Sequence, residues 1–301
     1  MNLLNYKDFT KAIKNEISHY FNDDTIISIT SIIKNNDQKF DGLIFTKKGS
    51  NISPTIYLNP LYEEYKKGNT IKEIAEKIKH SYDNADAPSF SKEASQFTNY
   101  EFVKKRLAIK LINFEANKEL LKDTPHVRKL DLAIVFLCLI EKQSKQNASI
   151  MIKNTHLKYW NISIDTLYYD ALYNSPQILP FRCYSLMSTV QTKDNAKPLD
   201  IDNISLAKDD MLILTNDVKI NGAATILYPE ILDKIATNLN KNLFIIPSSI
   251  HEVLILPENK YITGNDLNSL VKTVNTQELN AGDVLSDSIY IYNLSDKIIT
   301  K

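Results

Sequence analysis

The chain has 301 residues, with 36 basic and 36 acidic side chains, so its formal net charge at neutral pH is zero. With 43% hydrophobic and 24% charged residues it has the make-up of a globular protein long enough for about two cored domains, which excludes a disordered or fibrous chain. The neutral balance supplies no field to draw the protein onto nucleic acid or anionic lipid, and the longest wholly apolar run, Leu132 to Ile140, is far shorter than the ~20 residues a membrane-spanning helix needs.

In chain order, Phe9, Ile13, Ile17 and Tyr20 recur at helical spacing and predict an amphipathic helix over about 7–21. Lys7 and Asp8 interrupt what would have to be the apolar core of a secretory signal, so the expectation is a cytoplasmic protein. The runs "TIISITSII", "FDGLIFTKK" and "ISPTIYLN" are β-rich and separated by short turn clusters, which predicts an antiparallel three-strand meander. A helix opened by Pro60 and stopped by Gly68 follows, then a second helix with Thr70 and Glu73 as a capping box. The polar stretch 83–95, with Pro88, reads as a linker that ends an N-terminal domain over 1–85.

From 96 to 301 the expectation is an α+β region. "RLAIKLINF", "LDLAIVFLCLIE", "ASIMIK" and "ILPFRCYSLM" read as strands, with a short helix at "NKELLKDT" and a longer one capped by Ser163 whose buried stripe includes Leu167 and Ala171. After a polar segment at 191–203, strand, helix, two strands, helix and strand recur. Both stretches, 96–190 and 204–301, thus read βαββαβ, compatible with two units or with one larger antiparallel sheet covered by helices. Cys138 and Cys183 lie in apolar segments, as small buried hydrophobes of a reducing compartment do.

The stretch "FIIPSSIHEVLILPE" carries the residues most suggestive of chemistry. Ser249, His251 and Glu252 place a hydroxyl, an imidazole and a carboxylate close together, but adjacent residues on a strand rarely assemble a relay, and no strand-to-helix nucleophile elbow surrounds the serine. The flanking apolar runs predict a hairpin inside a sheet, with "PSSIHE" as its exposed tip, read first as a structural turn, then as a polar binding tip, and last as a catalytic one. No catalytic residue is assigned. The five histidines show no i, i+4 pair and there is no Cys-x-x-Cys, so no metal site is expected; no glycine-rich phosphate loop occurs, so no cofactor is expected. The basic cluster Lys104, Lys105 and Arg106 reads as a solvated face, with nucleic-acid binding as a further alternative. Tyr159, Trp160, Tyr169 and Tyr173 fall off the buried stripe of their segment and are the candidate partner-binding surface, since such side chains combine an apolar body with a polar tip.

At "NISPTIYLNPLYEEYKKGNTIKEI" and "FIIPSSIHEVLILPE", and again at "LDLAIVFLCLIE" and "ATILYPEILDKIATNLNKNLFIIPSS", the chain resembles a clostridial family classed as a domain of unknown function, over nearly its whole length. More distantly it is similar to a broader group of cytoplasmic proteins of Gram-positive bacteria. The resemblance implies a bacterial cytoplasmic setting, in neighbourhoods of mobile elements or phage, and carries no catalytic residue with it. The functional expectation is a non-enzymatic binding or protein-interaction protein, with a hydrolase or transferase using Ser249 and His251 as the alternative.

Overall fold

The structure is a computed structural model and describes residues 3–48, 53–84, 96–140, 149–193, 195–207 and 210–301. The fold is α+β, with strands paired antiparallel in three sheets. The chain divides into two compact units, one made of Met1–Lys34 and Gln38–Thr98, the other of Asn35–Asp37 and Asn99–Lys301. The expected linker at 83–95 lies almost wholly outside the described residues.

In the first unit, helix α1 (Tyr6–Ser18) begins where the Asn5 side chain accepts from the Asp8 N–H, and its stripe Phe9, Ile13 and Ile17 is buried. The meander follows as β1 (Thr25–Ile33), β2 (Lys39–Lys47) and β3 (Thr55–Tyr57), in that spatial order. Alternation along the strands turns Ile27, Ile29, Leu43 and Phe45 to the core. Helix α2 (Leu58–Lys66) starts two residues before Pro60, which is tolerated there because first-turn N–H groups have no intrahelical acceptor. It ends ahead of Gly68, whose φ of +112° few other residues could adopt. Helix α3 (Ile71–Asp83) carries the reciprocal Thr70 and Glu73 capping box. Each fully buried Phe, Leu or Ile of this core contributes about 1.5–3 kcal/mol relative to exposure, so three strands and three helices can share one hydrophobic cluster of this size.

The second unit contains both remaining sheets. After helix α4 (Tyr100–Lys104) come β4 (Leu107–Asn113), helix α5 (Lys118–Leu121), β5 (Val127–Lys129), β6 (Leu132–Leu139) and β7 (Ser149–Met151). The apolar run read as a buried strand is β6, the centre of this sheet, with β4 on one side and β5 and β7 on the other. Asn35–Asp37 belong to this unit: the Asp37 carboxylate accepts from the Glu119 and Leu120 N–H groups at 2.8 and 2.9 Å, capping α5. Helices α6 (Asn154–Trp160) and α7 (Ile164–Ile178) follow, and α7 is tied to β4 by the Ser175 hydroxyl, which accepts from the Ile109 N–H at 2.9 Å.

The other sheet runs β13 (Ile298–Thr300), β12 (Tyr290–Asn293), β10 (Leu243–Pro247), β11 (Val253–Pro257), β9 (Leu212–Asn216), β8 (Phe181–Ser185). The sheets therefore divide after β7, and β8, grouped by sequence with the strands before it, pairs with β9 along its whole length. Asp210 explains this: its buried carboxylate accepts from Ser185 Oγ at 2.6 Å and from the Met187 N–H at 3.1 Å, tying the residues just before β9 to the end of β8 and the start of helix α8 (Leu186–Gln191). Helix α9 (Ile231–Leu239) starts after Glu230, whose φ is +66°, so Pro229, which the sequence places in the first turn of a helix at "YPEILDKIATNL", lies ahead of the helix. Helix α10 (Gly264–Gln277) lays Leu267 and Val271 on Phe244, Ile246 and Leu256 of the central strands.

The two sheets of this unit share a polar tie. Asp131, between β5 and β6, accepts from Tyr290 OH (2.9 Å), Ser286 Oγ (3.0 Å) and Lys301 Nζ (2.8 Å). No helix among the described residues is long and apolar enough to cross a membrane.

Candidate functional site

The hairpin expected at 244–258 is present, with Ile245 opposite Ile255 and Ile246 opposite Leu254, and both strands lie inside the sheet. Its tip departs from the expectation of an exposed turn. Ser249 and Ile250 are only 8% and 4% exposed, because three chain segments converge on them. The Ile250 N–H donates to Asp283 O (2.9 Å), the Ala223 N–H to Ile250 O (3.3 Å), and Thr215 Oγ1 to His251 O (2.8 Å). Gly222 makes this approach possible, since a methyl group there would stand 2.5 Å from His251 O.

This packing also decides what Ser249 and His251 can do. Ser249 Oγ accepts from the main-chain N–H of His251 at 3.0 Å, the role of a turn residue bonding the backbone two positions on. The imidazole Nδ1 accepts from the Asn221 N–H at 3.2 Å, and Nε2 stands 3.4 Å from Asp283 Oδ1. A ring nitrogen that accepts has its lone pair engaged, so the neutral ring carries its proton on Nε2, facing Asp283. A carboxylate from a distant segment does orient the imidazole, as a triad would require, yet no lone pair is left over to take a proton from a serine hydroxyl. Glu252 is reached by Ser248 Oγ only at 3.4 Å. The tip is a structural junction.

The aromatic candidates separate into two groups. Tyr159, Tyr169 and Tyr173 are 67%, 68% and 74% exposed, with Tyr169 and Tyr173 one turn apart on the face of α7 opposite Leu167, Ala171 and Ser175. Trp160 is half-buried, its ring 5.6 Å from that of Tyr100 and 5.5 Å from that of His156. Tyr100 in turn donates to Asp170 Oδ2 at 2.7 Å, and burial together with that carboxylate pushes its phenol well above the ordinary range. Trp160 is thus part of the packing among α4, α6 and α7. In the basic cluster, Lys104 pairs with Asp170 at 3.1 Å, Arg106 lies 3.8 Å over the Phe102 ring, and Lys105 is exposed. Both cysteines are buried, and among the described residues no group of three or more His, Cys, Asp or Glu could hold a metal ion.

One concavity escaped the sequence reading. A cleft of about 410 Å³ opens beside β8, walled by Pro176, Pro180, Pro198 and Pro229 and lined by Phe181 and Tyr228. The wall formed by Pro198 and Leu199 is held against the sheet edge by the Leu199 N–H, which donates to Cys183 O at 2.7 Å. The Tyr228 hydroxyl, donating to Leu179 O at 3.1 Å, fixes another side; burial and the nearby Asp217 charge raise that phenol. Proline walls hold their shape because φ is fixed, so little ordering entropy opposes a ligand. Arg182 lines this cleft. The chain has three arginines; Arg106 and Arg128 lie over the rings of Phe102 and Phe114, whereas Arg182 donates through Nη1 to the neighbouring Phe181 O at 3.1 Å and has no carboxylate partner among the described residues. The sequence signal was an arginine between a proline and a cysteine in "PFRCYSLM", but the other walls come from segments up to fifty residues away, which no local pattern connects.

A model of a family of unknown function, DUF5688, matches residues 6–294, and the chain belongs to that family. No curated protein and no solved structure matches it.

Proposed function

We propose that this member of the DUF5688 family is a non-enzymatic binding protein of a clostridial or related bacterial cytoplasm, and that the cleft beside β8 takes a small molecule with a carboxylate head and an apolar body. The observation that carries this reading is Arg182, a guanidinium without an opposing charge among the described residues, in a concavity otherwise lined by proline, aromatic, aliphatic and cysteine residues. A guanidinium presents a planar fork that matches a carboxylate, and a mostly apolar pocket of a few hundred Å³ with one such polar anchor is the usual form of a small-ligand site. Ser249 and His251, the residues of the hydrolase alternative, are engaged in holding the hairpin tip, and in the basic cluster of the nucleic-acid alternative Lys104 is neutralised by Asp170.

Calorimetric titration with hexanoate and 3-phenylpropionate, against 1-hexanol and hexylammonium of similar apolar size, tests the proposal. Carboxylates bind and the neutral or cationic probes do not; Arg182→Gln weakens carboxylate binding by about tenfold or more, and Asp217→Asn strengthens it. Equal binding of hexanoate and hexylammonium, or no saturable carboxylate binding up to ~10 mM, removes the reading.

A second reading, a protein partner on the exposed row Tyr169 and Tyr173, is favoured by their exposure on one helical face. A double Tyr169→Ala, Tyr173→Ala variant loses a purified stoichiometric partner while keeping its stability, whereas Trp160→Ala disturbs packing and cannot serve as the probe.

A further inference from the structure

We infer that β1 is a self-association edge: two copies of this chain pair antiparallel along Thr25–Ile33 about a two-fold axis at Ile29, joining their three-stranded sheets into one.

Strand β1 is nine residues long, "TIISITSII", without a charge, a proline or a glycine. It pairs with β2 on one side only, and among the described residues no hydrogen bond outside that ladder involves the backbone of residues 26–33. Free edges template pairing with other chains, and proteins blunt them by shortness, charge, proline or cover. Every other edge among the described residues is treated in one of those ways, β7 by being three residues long. β3 is three residues long and follows Pro54; β5 is three residues long and carries Arg128 and Lys129; β13 is three residues long and flanked by Lys297 and Lys301. The β4 edge meets Ser175, and the β8 edge is met by the Leu199 N–H. The edge strand left unblunted is also the longest, and Ile26 on it is 68% exposed.

The sequence of β1 identifies the occupant as a second copy. About Ile29 its outer face is its own reverse in kind, so a two-fold axis perpendicular to the sheet sets Ile26 against Ile32 and Ser28 against Thr30 on that face; on the core face it sets Ile29 against Ile29, with Ile27 against Ser31 and Thr25 against Ile33. Residues of one parity stay on one side, which keeps the core faces of both copies together. The register continues past the strand ends, where Asp24 of one copy meets Lys34 of the other, and by symmetry this happens twice. Both are exposed and neither is in an ion pair among the described residues; the Lys34 ammonium lies 4.9 Å from the centre of the Tyr57 ring. An arbitrary peptide would satisfy the backbone ladder, but an outer face that pairs apolar on apolar and hydroxyl on hydroxyl, with opposite charges meeting at both ends, is matched by a second copy in this register.

Sedimentation velocity on the full chain from ~1 to 200 µM tests the inference, with a dimer expected within that range. Thr30→Lys, at an exposed position, places an unpaired charge in the seam and raises the dimer dissociation constant by about tenfold or more. Asp24→Lys alone also weakens the dimer, and adding Lys34→Asp restores it to within about threefold, which a folding defect would not do. A monomer throughout the range, a dimer indifferent to Thr30→Lys, or growth into larger assemblies overturns the pairing.

Discussion

Replacing Gly222 with alanine tests whether the hairpin tip is locked as described. The added methyl would stand 2.2 Å from Thr215 Oγ1, 2.5 Å from His251 O and 2.8 Å from Asn216 N. Two of these are main-chain atoms, and the third is a short hydroxyl already donating to His251 O at 2.8 Å, so none can swing away like the end of a flexible side chain. The tip and β9 must separate. Overpacking of this kind costs about 1–3 kcal/mol, and stretching the buried Thr215 to His251 bond adds about 1–3 kcal/mol, so the expected loss is roughly 3–4 kcal/mol. Gly264→Ala is the matched control in the same unit: its methyl would meet Ile289 Cδ1 at an ordinary 3.5 Å, and alanine is the better helix former, so stability is unchanged or rises by up to about 1 kcal/mol. Urea unfolding followed by the fluorescence of Trp160, the lone tryptophan and a residue of this unit, reads both variants. Adding Thr215→Ala to Gly222→Ala removes the closest clash, so the double variant loses less than the sum of its parts. A Gly222→Ala variant within ~1 kcal/mol of the parent would refute the reasoning, because a tip that yields so easily is not held by the contacts described.

The same packing makes Ser249→Ala cost about 1–3 kcal/mol, more than an exposed turn would lose, because the His251 N–H loses its acceptor; Ile255→Ala, fully buried in β11, costs about 2–5 kcal/mol, and urea unfolding of both checks the order. Acid destabilises the second unit through Asp131: burial pushes its carboxyl up, but the hydrogen bonds from Lys301, Tyr290 and Ser286 outweigh this and hold it below the usual 3.8. The folded state therefore binds that proton less readily than the unfolded state, so the stabilisation is complete above the unfolded value of about 4 and fades as pH falls through the folded one; Lys301→Met flattens this acid limb in unfolding curves measured between pH 2 and 6. Burial pushes the Cys183 thiol up to about 12, so iodoacetamide at pH 8 leaves it unmodified in the folded protein and alkylates it in denaturant, as mass spectrometry of the labelled peptide will show.

Elements with a long uniform period were legible in the sequence because their physics is local. The α1 stripe at Phe9, Ile13 and Ile17, the Thr70 and Glu73 box and the unbroken apolar run of β6 each depend on residues within a few positions of one another. What stayed hidden depends on distant segments. Strands β5 and β13 are three residues each, too short to show a period, and β8 changes sheets because Asp210, twenty-five residues on from Ser185, receives the Ser185 hydroxyl. The Arg182 cleft is hidden for the same reason, since an arginine is conspicuous only once the fold shows that no carboxylate among the described residues answers its charge.

The hairpin tip shows how local reading and folded chemistry part company. From the sequence, the serine and histidine look like neighbours that must be tested against each other, and the missing member is a carboxylate. The fold supplies that carboxylate as Asp283, thirty-two residues away, and also supplies the Asn221 N–H. It is the second contribution that decides the outcome. An imidazole acts as a general base only through a nitrogen that is free to accept, and here Nδ1 already accepts from a main-chain donor while Nε2 faces the acid. Freeing Nδ1 would require the 221–223 segment to move off the tip, taking the Ala223 to Ile250 bond with it. The arrangement of acid, histidine and serine is therefore bound to the stability of the tip, and a variant that freed the imidazole for chemistry would first have to give up the packing that Gly222 makes possible.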